Sequence, residues 1–171
     1  MLITPAYAEL NRELHQRIPK FGSNGKKWAE YVRALATRTK SGSILDYGCG
    51  KGSLRAAVGP HVREYDPCVP GKDARPAPCD LVVCTDVMEH VELECVDAVL
   101  ADIYALANRA VLLGICCVED SKVLADGRGA HITVRPPEWW AEKVGKLGAF
   151  EEVEGPEGGF NCVLVKYADD D

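Results

Sequence analysis

The sequence has no uninterrupted apolar run of about 18 residues, the length a helix needs to cross a bilayer, so no membrane-spanning helix is expected. Its first residues, MLITPAYAELNREL, lack the basic-then-apolar order of a secretory leader, and a cytoplasmic location is the expectation. Metal-knuckle spacing is also missing. Among eight cysteines the close pairs are Cys116 with Cys117 and Cys79 with Cys84, and neither is a C-x-x-C. Cys49, Cys84, Cys116, Cys117 and Cys162 lie in or beside apolar runs, where a free thiol acts as a small hydrophobe; reduced thiols are expected rather than bridges or zinc. Basic charge is scarce beyond residue 40. Residues 41–171 carry twelve Lys or Arg against 23 acids, a local −11, which argues against broad contact with a nucleic-acid backbone. Residues 1–40 reverse the balance, with eight Lys or Arg against three acids, and their plainest explanation is a solvated helical face.

What is present reads as one domain. At 171 residues, 47% hydrophobic and 27% charged, the chain is long enough to bury a core without bridges or metal. Leu10, Leu14 and Ile18 recur at a spacing of four, as do Trp28, Tyr31 or Val32, and Leu35, so two amphipathic helices flank the FGSNG turn at 21–25. SILDYG is a short strand, Ser53 to Val58 opens a helix, and His61 to Tyr65 is a second strand. Pro67, Pro70, Gly71, Pro76 and Pro78 then exclude a full crossover helix before the strand DLVVC at 80–84, so one strand of the sheet is expected to be reduced or absent here. Leu93, Val96, Leu100, Ile103 and Ala107 mark a helix over roughly 92–107, and RAVLLGICCV follows without polar alternation, as central parallel strands do. Pro137 to Leu147 forms another helix, ended by Gly148, and AFEEVE and NCVLVKY surround GPEGG as a hairpin. This alternation places the chain in the three-layer α/β class, with ligands outside the carboxyl ends of the strands.

The segment ILDYGCGKGSL, residues 44–54, carries the chemistry. Gly48, Gly50 and Gly52 remove Cβ atoms where a turn enters a helix, so a bound molecule can press on the main chain. The pattern is not the G-x-G-x-x-G of a dinucleotide site, and no G-K-S or G-K-T follows to make a Walker loop. An acid, Asp46, stands just ahead of the first glycine; it suits a cationic amino-acid moiety better than a pyrophosphate.

ILDYGCGKGSL resembles the first motif of class I S-adenosylmethionine-dependent methyltransferases, and CDLVVCTDVMEHVE resembles their fourth-strand segment; the likeness covers about residues 42–167. It implies a Rossmann-like methyltransferase fold with a mostly parallel seven-stranded sheet, here with a reduced third strand, and S-adenosylmethionine as cofactor. It implies a cofactor-binding domain over 41–167; outside it, the residues themselves predict an N-terminal helical segment over 1–40, able to act as a lid or as a simple helical extension, and an acidic tail at 168–171. Carried onto this chain, Gly48 and Gly50 admit the methionine portion, Asp46 orients its amino group, and Asp66 binds the ribose hydroxyls. Asp73 is the best match for the group that reads the adenine amine, and Thr85 and Asp86 face the methyl group. A carboxylate can accept from both hydroxyls of a diol, which is why the ribose position calls for an acid.

The cofactor supplies an activated methyl; the protein must align an acceptor and remove its proton. Asp86 and His131 are the expected catalytic groups, with Glu89 and His90 as further candidates. Arg128, His131, Trp139 and Trp140, in the long segment ADGRGAHITVRPPEWW, are the expected acceptor wall. The N-terminal segment can carry Tyr7, Asn11, His15 or Lys26 inward over the cofactor. The expected acceptor is a small molecule or a nucleotide-like compound, and no metal is assigned. One alternative keeps an ion and an RNA partner: D-x-x-E-H at 86–90 with His131 resembles the E-x-x-E-H and downstream His of small-RNA 3′-terminal 2′-O-methyltransferases, although the first acid here is Asp. Two carboxylates and two imidazoles could hold a divalent ion beside a ribose diol. The other alternative is a non-catalytic, cofactor-binding subunit of a partner protein.

Overall fold

In a computed structural model, residues 1–156 and 158–166 are described. Four strands run parallel at the centre: β1 (Ile44–Tyr47), β2 (Val62–Tyr65), β3 (Cys79–Thr85) and β4 (Ala107–Cys116). Two antiparallel strands complete one edge, β5 (Glu151–Glu152) and β6 (Gly159–Val165), giving the order β2-β1-β3-β4-β6-β5. The hairpin ending read from GPEGG is therefore present. The acidic tail expected at 168–171 lies outside the described residues.

Helices cover both faces because the central strands are apolar on both. On one face, α2 (Ala29–Arg38) and α3 (Ser53–Val58) bury Trp28, Val32, Leu35 and Leu54 against Ile44, Leu81, Val83 and Leu112. On the other, α4 (Val96–Leu106) and α5 (Pro137–Gly145) bury Val96, Leu100, Ile103, Trp140 and Val144 against Leu45, Val82, Leu113 and Phe160. Alternate residues of each strand thus enter opposite cores, the arrangement an unbroken apolar strand requires. Helix α1 (Pro5–Arg17) lies outside these layers, packing through Leu14 on Phe21, Leu124 and Ala130. The Thr4 side chain caps it, and the Thr4 amide and hydroxyl donate to the two oxygens of Glu92 at 2.8 and 2.7 Å, fixing its start. No helix among the described residues is long and apolar enough to cross a membrane.

Among the described residues the sheet has six strands, not seven. Among the described residues no strand forms between β2 and β3, and prolines account for this, since each removes an amide from a would-be ladder. The segment is held by turn bonds between Asp66, Val69 and Lys72 and by Asp102 on α4, which accepts a guanidinium nitrogen of Arg75 at 2.5 Å as well as the Tyr47 hydroxyl of β1 at 3.0 Å. Asp102 is shielded, whereas the Arg75 side chain is 62% exposed, so the two partners differ in weight. Asp102→Ala strands the Tyr47 hydroxyl and is expected to cost about 1–3 kcal/mol in urea unfolding. Arg75→Ala is expected to cost clearly less, because its exposed pair is screened by solvent; equal losses would contradict this assignment.

Candidate functional site

The carboxyl ends of the parallel strands converge on acids. Asp46 lies within β1, Asp66 follows β2 and Asp86 follows β3. A cavity of about 370 Å³ opens over this edge, walled by the ends of β1, β2 and β3, by α1 and by the segment after β4.

The glycine loop is fastened on every side. Gly48, Gly50 and Gly52 have φ of 80°, 49° and 77°, a region costly to other residues. Each position is also crowded by the protein itself. A Cβ on Gly48 would strike Val87, one on Gly50 would meet the Gly22 carbonyl oxygen at 2.6 Å, and one on Gly52 would strike Glu64. Gly48 lines the cavity; Gly50 is used by the FGSNG turn, whose Gly22 oxygen also accepts the Lys51 amide at 2.8 Å. The other loop amides are taken too. Those of Gly48 and Cys49 donate to the Tyr65 carbonyl, that of Gly50 to Asp66, and that of Gly52 to the Cys49 carbonyl. A loop with its amides satisfied is no cradle for a pyrophosphate.

Asp66 accepts Gly50 N on one oxygen and Cys68 N on the other, both at 2.9 Å, and His15 Nε2 lies 4.0 Å away. Burial pulls His15 below its ordinary pKa, against the Asp66 charge that favours protonation. Asp46 is buried, and burial pushes it up to about 7, the charge of its register neighbour Glu64 adding to the shift. Thr85 is buried at the end of β3, and Asp86 sits at φ 55°, a left-handed conformation that Asp tolerates better than most residues.

Glu89, His90 and His131 meet above this edge. Each offers one ligand atom, and these atoms lie within 4.8 Å of one another. Glu89 is fully buried, neither carboxylate oxygen has a hydrogen-bond partner, and burial pushes it up to about 8, with Asp86 adding. His90 Nδ1 lies 2.8 Å from the Ala130 carbonyl and His131 Nδ1 2.7 Å from that of Val118. A carbonyl only accepts, so both Nδ1 atoms carry the proton and both Nε2 atoms present a lone pair when the rings are neutral. Burial and the neighbouring His131 pull His90 down to about 4. His131 Nε2 faces Asp120 Oδ2 at 3.8 Å, and Asp120 is itself held by Lys122 Nζ at 2.8 and 2.9 Å.

The sequence expectations divide here. Asp46, Gly48, Asp66, Thr85, Asp86 and His131 line the cavity, as do Tyr7, Asn11 and His15. Asp86 lies in the same wall but outside the Glu89, His90 and His131 cluster. Asp73, Lys26, Arg128, Trp139 and Trp140 are not in the wall. Asp73 and Lys26 are exposed, since the strandless segment and the FGSNG turn direct them to solvent. Arg128 pairs with Asp126 and covers the outer face of Tyr7, its carbon 5.5 Å from that ring. Trp140 is core, and Trp139 packs edge-on against it under Arg135 and Lys143. Cys68, Glu92, Asp120 and Lys122 line the cavity without having been singled out. For Asp120 and Lys122 the signal was the acid and lysine just after the β4 run, in VEDSK.

Comparisons with known proteins identify the family and the fold. A family model described as a methyltransferase domain matches residues 14–144. No curated protein matches the chain significantly. Among solved structures, the magnesium protoporphyrin IX methyltransferase of Synechocystis PCC 6803 with bound S-adenosylhomocysteine is 18% identical, with a TM-score of 0.57 over 83% of either chain. The 1,6-didemethyltoxoflavin-N1-methyltransferase of Burkholderia thailandensis, solved with that acceptor and S-adenosylhomocysteine, is 17% identical, with a TM-score of 0.61 over 96% of this chain and 90% of its own. The methyltransferase domain of bacterial CtHen1-CN is 14% identical, with a TM-score of 0.58 over 82% and 98%. At these identities the likeness is one of fold.

The buried acid Asp46 makes stability depend on pH. Its folded pKa, about 7, lies above the ordinary carboxyl value, so folding takes up a proton between the two and stability falls as pH rises towards 7. Asp46→Asn removes that dependence. Its gain over the native sequence in urea unfolding is expected to be larger at pH 8 than at pH 5 by about 1–3 kcal/mol; a pH-independent difference would show that Asp46 is not the titrating group.

Proposed function

Because the chain belongs to the methyltransferase-domain family, we propose that it transfers a methyl group from S-adenosylmethionine to a small-molecule acceptor held beside Asp86, Glu89, His90 and His131. The observation that carries the cofactor assignment is the self-satisfied glycine loop between two acids. A ligand there meets carboxylates and close-approaching backbone rather than free amides. A cationic amino group and a ribose diol fit that surface, and a polyphosphate does not. Asp46 would face the amino group and Asp66 the ribose hydroxyls.

The bound cofactor supplies a methyl already activated on sulfonium. The chain's own residues then have two tasks, alignment and proton removal. Thr85 and Asp86, at the end of β3, set the wall facing the methyl. His131 Nε2, the lone-pair nitrogen of the neutral ring whose Nδ1 donates to Val118, takes the acceptor's proton, and Asp120 stabilises the charge that forms. Glu89, poised near 8, is a second base in the same wall. The porphyrin and toxoflavin enzymes with this fold act on small molecules by name, which supports the small-acceptor assignment. An RNA acceptor gains no support from a cavity in which acids outnumber Lys122. Calorimetry should show saturable binding of S-adenosylmethionine or S-adenosylhomocysteine, weakened by roughly 1.5–3 kcal/mol in Asp66→Ala. Absence of heat in folded protein would sink this assignment, and cofactor binding without turnover on any acceptor would favour the non-catalytic subunit.

A divalent ion beside the acceptor is a second reading, favoured by the wholly buried Glu89 carboxylate, whose ligand atom lies within 4.8 Å of those of His90 and His131. Two imidazoles whose Nδ1 protons are fixed on carbonyls, leaving Nε2 free, have the tautomer of metal ligands. Glu89, His90 and His131 would hold the ion, whose chemistry is to lower the acceptor's pKa. Titration of chelator-treated protein with Mn²⁺ or Zn²⁺ should then saturate near one ion per chain and fail in Glu89→Gln. Equal uptake by both proteins, or none by either, would leave His131 as an unassisted base.

A further inference from the structure

Tyr7, Asn11 and His15 stand four residues apart on α1, so they form one row along the helix. All three line the cavity. A buried row on a small helix is ordinarily apolar, and α1 has such a row beside it in Leu10 and Leu14. The polar row is different in kind: Tyr7 Oη and His15 Nδ1 are buried and make no well-formed hydrogen bond, although the Asn11 side chain lies beside Tyr7. Buried polar atoms without partners are rare in folded proteins and call for an explanation; here the cavity they line supplies one.

The row is held over the nucleoside side of the proposed cofactor site. The Lys51 ammonium donates to the His15 carbonyl at 2.7 Å, and the FGSNG turn closes on the glycine loop through Gly22 and Gly50. His15 lies 4.0 Å from Asp66. Tyr7 lines the cavity together with Cys68, just past Asp66, and with Glu92, whose carboxylate clasps Thr4. On this side the sheet ends at β2, with no further strand among the described residues to wall the cavity.

We propose that the Tyr7, Asn11 and His15 row completes the cofactor site by reading the nucleoside half of the ligand, with His15 at the ribose beside Asp66 and Tyr7 and Asn11 at the base. The inference rests on the cofactor assignment above. A neutral imidazole, a phenol and an amide each donate and accept, which matches ribose hydroxyls and the mixed edge of a purine without adding charge. Helix α1 thereby does for this sheet what a third strand and its loop would otherwise do.

Calorimetry with S-adenosylhomocysteine and with 5′-methylthioadenosine, which lacks the amino-acid half, tests it on Tyr7→Phe, Asn11→Leu and His15→Leu. Each variant is expected to bind S-adenosylhomocysteine about five- to tenfold more weakly, as for one lost hydrogen bond, and to lose a similar factor with 5′-methylthioadenosine. The ligand-free Tm of Tyr7→Phe should hold or rise, because the substitution removes only an unpartnered oxygen. Native affinity in Tyr7→Phe and His15→Leu overturns the proposal. So does a loss seen with S-adenosylhomocysteine but not with 5′-methylthioadenosine, which would move the row to the amino-acid half. If the unsubstituted protein binds neither compound, the cofactor assignment itself fails; if it binds and the variants match it, only the row fails.

Discussion

Asp66 accepts the Gly50 amide on one oxygen and the Cys68 amide on the other, and these two bonds decide where the glycine loop, the exit of β2 and the N-terminal helix meet. A carboxylate fixed in this way cannot swing to solvent, so its remaining lone pairs point into the cavity. The Gly22 turn locks on the opposite side of Gly50, where any side chain would collide. The loop is therefore built by the protein's own contacts before a ligand arrives, as a preorganised site requires.

The site concentrates unfavourable terms that a purely structural domain would avoid. Asp46 and Glu89 are buried acids pushed up to about 7 and about 8, Asp86 is left-handed, and Tyr7, His15 and Glu89 keep buried atoms without partners. Each opposes folding, and all lie around one cavity. The apolar layers on both faces of the sheet offset them. This separation of stable layers from a strained edge is the physical reason that function is assigned to the carboxyl ends of the strands.

Much of this was legible in the sequence where the signal was local. A glycine loop between Asp46 and Ser53, acids one residue past β2 and β3, and a proline-crowded stretch before Cys79 are each read within a dozen residues, and the alternation of strands and helices gives the α/β class but not the strand order. The wall of the cavity was less legible because core and pocket use the same residue types. Trp139 and Trp140 are as suited to stacking on a ligand as to packing, and only the fold puts Trp140 in the core. Arg128 has a local partner in Asp126, and Asp73 lies on a segment with no strand to aim it inward. Glu92 is placed by its bonds to Thr4, 88 residues away, which spacing does not reveal, whereas Cys68 beside Asp66 and Lys122 beside Asp120 had only local signals, an exposed-looking turn thiol and a short acid–lysine run.

The central claim, that a nucleoside-bearing sulfonium cofactor binds between the glycine loop, Asp66 and α1, is tested most directly by amide hydrogen exchange with and without S-adenosylhomocysteine. The account predicts slowed exchange in residues 5–17, 46–52 and 66–68, with the outer strands β5 and β6 unchanged. Protection confined to other surfaces, or none at saturating ligand, would contradict it.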